Sequence, residues 1–247
     1  MLKKFFLVIG LGVFALVANA DIVNITYADS GHAKILARSR NTGENRWIAE
    51  IDIKKNQDNN LITIEKKGEG YFGSDVIYKT WRSHGTFNLI DNKMTPVVVK
   101  NEFYDKSGKI VNSVEKKYDA GTKKITCIVN GKEKVFDFPD DVVDDMDLAL
   151  TMSNFPLERP SVTFHLLSLE PDLYSFTAKN LGTETINVNG VDKKCYKIKL
   201  SINMGIFGAF IPNTYFWVDV NPPHTFFRYQ GLESGLNTPN IIIDRVE

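Results

Sequence analysis

Two cysteines, Cys127 and Cys195, are the only thiols in the 247 residues. Neither belongs to a C-x-x-C pair, which argues against thioredoxin-like redox chemistry. In an oxidising compartment the two could pair and close a long loop. Equally, both could stay free and buried, because a disulfide needs a geometry that spacing does not reveal. Histidine is scarce too: His32, His84, His165 and His224 are scattered, none sits in H-E-x-x-H, and no two share a short metal-ligand spacing. No G-x-S-x-G elbow or S-x-x-K pair announces an acyl-enzyme nucleophile. Neither a metal nor a cofactor is expected, and no catalytic residue stands out. An excess of one charge is likewise missing. The 30 basic side chains meet 30 acidic ones, which excludes the concentrated basic face that nucleic acid requires.

Long apolar runs are confined to the first twenty residues. "MLKK" is a basic start, "FFLVIGLGVFALV" an apolar centre, and "ANA" a small-residue end of the kind signal peptidase cleaves. The run is short for a bilayer span, so a leader is expected rather than a retained anchor. Cleavage at Ala20 would place Asp21 first, where a bacterial lipoprotein would need Cys. The expectation is a periplasmic or secreted chain of 227 residues with no membrane span. Lys3 and Lys4 leave with the leader, so the remaining net charge is about −2. No Ser/Gly-rich linker follows, so 21–247 reads as one β-rich domain, with a subdivision near 140–156 as the alternative.

Strand patterns fill that domain. "RWIAEIDIKK" sets Trp47, Ala49, Ile51 and Ile53 against Arg46, Glu50, Asp52 and Lys54 with a period of two. "NLITIEKK", "TPVVVKNEFYD", "IVNSVEKKYD", "KITCIVN" and "GKEKVFDFP" follow, separated by short reversals such as "KSGK" and "AGTK". After the middle of the chain come "SVTFHLLSL", "LYSFTAKNLGTETINVNG", "KKCYKIKLSIN", "TYFWVDV", "TFFRYQG" and "NIIIDRV". "VNG" occurs at two reversals, too little for a repeat architecture. Short strands joined by tight turns predict an antiparallel meander and not βαβ units. One segment differs. "DDVVDDMDLALTMSNFP" spaces Val142, Met146, Ala149 and Leu150 near helical intervals, which predicts a helix over 141–154. Its aspartates would then face the positive end of the helix dipole.

Two further stretches invite a chemical reading. "GEGYFG" at 68–73 matches G-x-G-x-x-G, but "SDVIYKTW" after it has strand character where a dinucleotide site needs a helix. The acidic cluster from Asp140 to Asp147 lacks the alternating oxygens and the glycine of a calcium loop. "NMGIFGAFIPNTYFWVDVNPP" at 203–223 is more informative. Phe216, Val218 and Val220 share one face of a strand, and Tyr215, Trp217 and Asp219 share the other. A strand with one face in water would not carry Tyr and Trp there, so both faces are expected to be covered. Phe216 and Val218 are expected in the core. Phe207, Phe210, Tyr215 and Trp217 are the candidates for lining an apolar ligand site.

The second half of the chain also resembles a family. "DDMDLALTMSNFP", then "FHLLSLEPDLYSFTAKNLGTETINVNGVDKKCYKIKLSI", then "NTYFWVDVNPPHTFFRYQG" is similar to exported bacterial β-proteins grouped as a domain of unknown function. The resemblance covers about 141–247, and the N-terminal meander more loosely. It implies a strongly curved antiparallel sheet, a half-barrel like those of periplasmic lipoprotein carriers, with a helix against the concave side; it implies no catalytic residues. Three functions follow as expectations: a non-enzymatic carrier or binding module for an apolar or lipid-like ligand, an assembly partner of an envelope protein, or a hydrolase whose site forms only in the fold. For the last, the residues to watch are Asp29, His32, His84, Asp172 and His224.

Overall fold

Alternation with a period of two turns into strands almost wherever it occurs in this chain. The computed structural model describes residues 23–26, 30–56, 58, 60–74, 77–205, 208, 211–235 and 237–247; the leader and its cleavage position at Ala20 lie outside these. The first meander holds β1 (Gly31–Ser39), β2 (Asn45–Asn56), β3 (Leu61–Tyr71), β4 (Tyr78–Ile90), β5 (Lys93–Tyr104), β6 (Ile110–Asp119), β7 (Lys124–Val129) and β8 (Lys132–Asp137). A short β9 (Val142–Asp144) and the helix α1 (Leu148–Ser153) follow. The second meander holds β10 (Ser161–Leu167), β11 (Leu173–Val188), β12 (Val191–Ile202), β13 (Thr214–Asp219), β14 (Phe226–Leu232) and β15 (Asn240–Arg245).

All fifteen strands form one sheet in the order β8-β7-β6-β5-β4-β3-β2-β1-β15-β14-β13-β12-β11-β10-β9. The two meanders join where the first strand pairs with the last: Ile35 lies opposite Arg245 and Ser39 opposite Ile241. Pairing is antiparallel throughout except between β9 and β10, which run side by side in the same direction. β8 and β9 are the two edges, and the sheet does not close. It curls strongly all the same. The β9 edge folds back against β5, and Lys134 of β8 reaches Asp172, just before β11, at 2.6 Å. The architecture is the curved half-barrel expected, mainly β, with one short α-helix among the described residues.

Both "VNG" reversals are tight turns. Asn130 and Gly131, and again Asn189 and Gly190, have φ between 48° and 83°, the left-handed pair that a two-residue hairpin needs. The expected helix is shorter than 141–154. Val142–Asp144 pair with His165–Leu167 as β9, and only Leu148–Ser153 coil. No acidic side chain lies in the first turn of α1, and Asp147 at its start makes no capping hydrogen bond. The aspartates therefore do not serve the helix dipole. Three of them point into the protein, as described below.

Inward-facing side chains of both meanders meet on the segment from Phe138 to Leu157. Ile62, Phe87, Val99 and Ile125 come from one wing and Phe164, Ile198, Phe216 and Val218 from the other, with Met146, Met152 and Phe155 between them. A second cluster, Ile35, Trp47, Trp81, Phe103 and Ile241, lies along the seam side of the hollow. "GEGYFG" belongs there as structure and not as a phosphate loop. A Cβ on Gly68 would stand 2.2 Å from the Trp81 ring, and one on Gly70 would meet the Arg46 carbonyl at 2.3 Å. Gly68 leaves room for the indole of Trp81 against β3, and Gly70 for the backbone of β2.

Candidate functional site: a cavity on the concave face

The hollow is not filled by the described side chains. A cavity of about 620 Å³ remains between the two wings. Ile35, Trp47, Ile51, Trp81 and Phe103 wall it on one side, Phe216, Phe226, Tyr229 and Ile243 on the other, and Asp145, Met146, Leu148 and Ala149 close it from the inserted segment. Its size falls within the roughly 300–1,000 Å³ of small-molecule sites, and its lining is of the aromatic and aliphatic kind such sites share.

Polar residues interrupt the apolar wall, Lys199, Ser201, Asn213 and Thr214 among them, and two groups form ordered features. At one end Glu233, whose side chain is 0 % exposed, accepts from Arg46 Nε at 3.1 Å, Trp47 Nε1 at 2.7 Å and the Gly73 amide at 2.5 Å. That carboxylate is fully engaged and fastens the 72–73 loop to the 233–235 loop. The second feature is a rung. Lys66 on β3 lies opposite Ser83 on β4, which lies opposite Asn101 on β5. All three line the cavity. Asn101 is 4 % exposed, and its Nδ2 has no hydrogen-bond partner.

One strand further across the inner face, Lys116 is completely buried and anchors the inserted segment. Its ammonium lies 2.9 Å from Asp144 Oδ2 and 2.5 Å from Asp145 Oδ1. Tyr118 donates to the same Asp144 oxygen, and the Met146 amide donates to Asp144 Oδ1 at 2.9 Å. Asp147 Oδ1 accepts from the Asp144 amide at 2.8 Å. Burial alone would strip the proton from Lys116, but Asp144 and Asp145 outweigh it and hold the ammonium above the ordinary lysine range. Burial pushes Asp144 up to about 6, against the pull of Lys116. Asp147 is pushed well above the usual carboxylate range by burial and by Asp144. Asp145, with 32 % of its side chain exposed, faces the cavity. Burial works against its charge, yet Lys116 keeps its carboxyl below the usual range. Lys66 is drawn below the ordinary lysine range by burial, with Asp145, Asp144 and Asp147 opposing that shift.

The residues singled out from sequence divide. Phe216 lines the cavity as well as belonging to the core. Tyr215 and Trp217 are not among the cavity-lining residues; they sit on the opposite, convex face. Their rings lie 5.9 Å apart, and Lys197 Nζ stands 5.0 Å from each. Trp217 is nonetheless only 5 % exposed, because the end of the β11–β12 hairpin covers it with Ile186, Val188 and Cys195. Its Nε1 donates to Glu184 at 2.5 Å. Both faces of β13 are thus covered, the outer one by the chain's own hairpin. Phe207 and Phe210 lie outside the described residues, while Gly205, Gly208 and Ile211 beside them line the cavity. Cys127 and Cys195 are free and buried in separate clusters, and burial pushes each thiol up to about 11.

None of the four histidines lines the cavity. His32 pairs with Asp52 at 2.9 Å and His84 with Glu65 at 3.8 Å on exposed strand faces. His165 holds the buried Asp141 at 2.8 Å, and His224 Nδ1 meets the Asp219 carbonyl at 2.9 Å. Asp172 is taken by Lys134, and Asp29 lies outside the described residues. Among the described residues no group of three His, Cys, Asp or Glu side chains is placed to hold a metal ion. Lys66 and Lys116 escaped the sequence reading although a signal was present. Each occupies an inward position in a strand whose neighbours two residues away are Ile64 and Gly68, or Val114 and Tyr118.

Comparison with known proteins bears on the fold. No family model and no curated protein matches the chain. Among solved structures, it is similar to a β-barrel-like protein of the domain of unknown function DUF1849 from Brucella abortus, with 7 % identity, a TM-score of 0.56, and coverage of 89 % of this chain and 97 % of that one. It also aligns with the hypothetical lipoprotein YmcC from Escherichia coli, at 9 % identity, a TM-score of 0.31 and 92 % of both chains. A protein from Bacteroides fragilis described as exported, with a YmcC-like fold, aligns at 12 % identity, a TM-score of 0.32, and 91 % and 98 % coverage. The likeness to a β-protein of a domain of unknown function, expected from the second half of the sequence, is therefore found along most of the chain, and what the Brucella protein and this chain share is the wrapping of their strands.

Proposed function

We propose that this chain is an exported, non-enzymatic carrier or binding module for an apolar or lipid-like ligand. The observation that carries the proposal is the cavity of about 620 Å³ on the concave face, walled by Trp47, Trp81, Phe103, Phe216 and Phe226. Burying apolar ligand surface there would contribute about 25 cal/mol per Å², from which ordering costs are subtracted. Export rests on the leader-like first twenty residues.

The test uses residues 21–247 and the uncharged fluorophore phenylnaphthylamine, which brightens in apolar surroundings. The expected result is saturable enhancement that is lost in Ala149→Trp, where an indole on α1 would project into the cavity. Protein recovered gently from cells should also release a greasy molecule detectable by mass spectrometry. No saturable enhancement with the wild-type chain, or enhancement indifferent to Ala149→Trp in a folded variant, would remove the proposal.

A further inference from the structure

A cavity made only for oil would have no polar residues deep in its wall. This one has a row of three. Lys66, Ser83 and Asn101 stand side by side on β3, β4 and β5, a rung about 10 Å long at the spacing of neighbouring strands. On one flank the inward positions are Gly68, Trp81 and Phe103, and on the other Ile64, Gly85 and Val99. The polar row is thus framed by apolar rows on both sides.

Within the row, two groups are provided with donors that the protein does not use. A buried amide nitrogen without a partner costs about 1–3 kcal/mol, so natural proteins leave few of them. Asn101 Nδ2 is one, on a residue that lines the cavity. Lys66 Nζ has no ion pair within 4.0 Å among the described contacts, although three aspartates lie near enough to act on its charge. Those aspartates are already committed. Asp144 and Asp145 bind Lys116, and Asp147 accepts from the Asp144 amide. Asp144 and Asp145 together outnumber Lys116 by one charge, which Lys66 offsets from a distance, so the Lys66 ammonium lines the hollow beside these aspartates with its own donors unpaired. A lysine has donors only, and both it and the Asn101 amide nitrogen therefore call for an oxygen acceptor.

We infer that the ligand is an acyl-chain amphiphile whose anionic, oxygen-bearing head is seated inside the cavity on the Lys66–Ser83–Asn101 rung, with its chain running toward the aromatic walls. The inference rests on the carrier reading and adds to it a head chemistry and an orientation. A carboxylate and a phosphate share that chemistry.

Binding of oleate, of lysophosphatidylglycerol and of the uncharged monoolein to residues 21–247 tests it, each by displacement of phenylnaphthylamine. Oleate or the lysophospholipid should bind more tightly than monoolein, and which of the two prevails identifies the carboxylate or the phosphate as the source. Lys66→Met should weaken the anionic ligand about tenfold or more relative to monoolein, the scale of losing a hydrogen bond to a charged group. Asn101→Leu, which replaces the orphan amide by an apolar group of similar size, should weaken the same ligand and stabilise the empty protein. Should both variants bind the anionic ligand as the wild type does, or should monoolein bind as well as oleate and the lysophospholipid alike, the head does not sit on the rung and the inference falls while the carrier reading stands. Absence of phenylnaphthylamine binding to the wild type would overturn both.

Discussion

At the residue scale, the feature with the largest consequence is a lysine where an isoleucine would be ordinary. Lys116 brings one positive charge into the core, and Asp144 and Asp145 answer it. Removing one partner from a buried charge pair leaves the other without compensation, at about 3–5 kcal/mol. Lys116→Met is therefore expected to lower stability by that order in urea unfolding. Combining it with Asp144→Asn should recover part of the loss, because the amide keeps the shape and sheds the charge. A pH dependence follows from other buried groups. Burial raises the thiols of Cys127 and Cys195 from 9.0 to about 11, and it raises the phenol of Tyr118 as well. Between pH 9 and 11 the folded chain then holds more protons than the unfolded one. These three raised groups against the lowered Lys66 make stability fall as pH rises through that window. Melting temperatures recorded from pH 7 to 11 check the sign; a rise above pH 9 would contradict it.

At the scale of elements, the meander was legible because alternation is a local signal. "YKIKL" put Tyr196, Ile198 and Leu200 on one face, and in the fold Ile198 and Leu200 are buried on the inner side. The helix was overdrawn because Val142 and Met146 satisfy helical spacing, while the parallel pairing of β9 with β10 depends on residues twenty positions away. Alternation also separates Phe216 from Tyr215 and Trp217 without saying which set faces in. The β11–β12 hairpin that covers Trp217 from outside removes the usual distinction between a wet and a dry face. Glycine in β3 is an element-scale feature of the same kind. Gly68→Ala would drive a methyl into the Trp81 ring, and overpacking of this sort costs about 1–3 kcal/mol. The variant should unfold at lower urea and show altered tryptophan emission, since the indole must leave its place across the strand. Unchanged emission with unchanged stability would mean that Trp81 does not rest there.

At the scale of the molecule, the curvature was legible only through the family resemblance and not in the strand pattern itself. Whether fifteen strands lie flat, close into a barrel or stop at a half-barrel depends on how the inserted segment fills the hollow, and no window of sequence contains that. The cavity is a remainder of the same global packing, so its lining could be named only in part. The seam between β1 and β15 is the other whole-molecule feature. Asp244, 2 % exposed, accepts from Arg38 of β1 at 2.8 Å and from Arg228 of β14 at 2.5 Å, tying three strands across the join. Both arginines are partly exposed, so solvent screens the loss, and Asp244→Ala is expected to cost about 1–3 kcal/mol. Hydrogen exchange should quicken first in β1 and β15 and only later elsewhere; a uniform change would show that the seam is no weaker than the rest.

That join has a meaning in time as well as in space. A ribosome delivers β1 some two hundred residues before the strand that will lie beside it, as the pairing of Ile35 with Arg245 requires. Throughout that interval the newborn polypeptide carries an unsewn hem of backbone amides and carbonyls, the kind of border to which stray strands adhere. A protein so arranged has reason to depend on a holding chaperone until its last stitch is made.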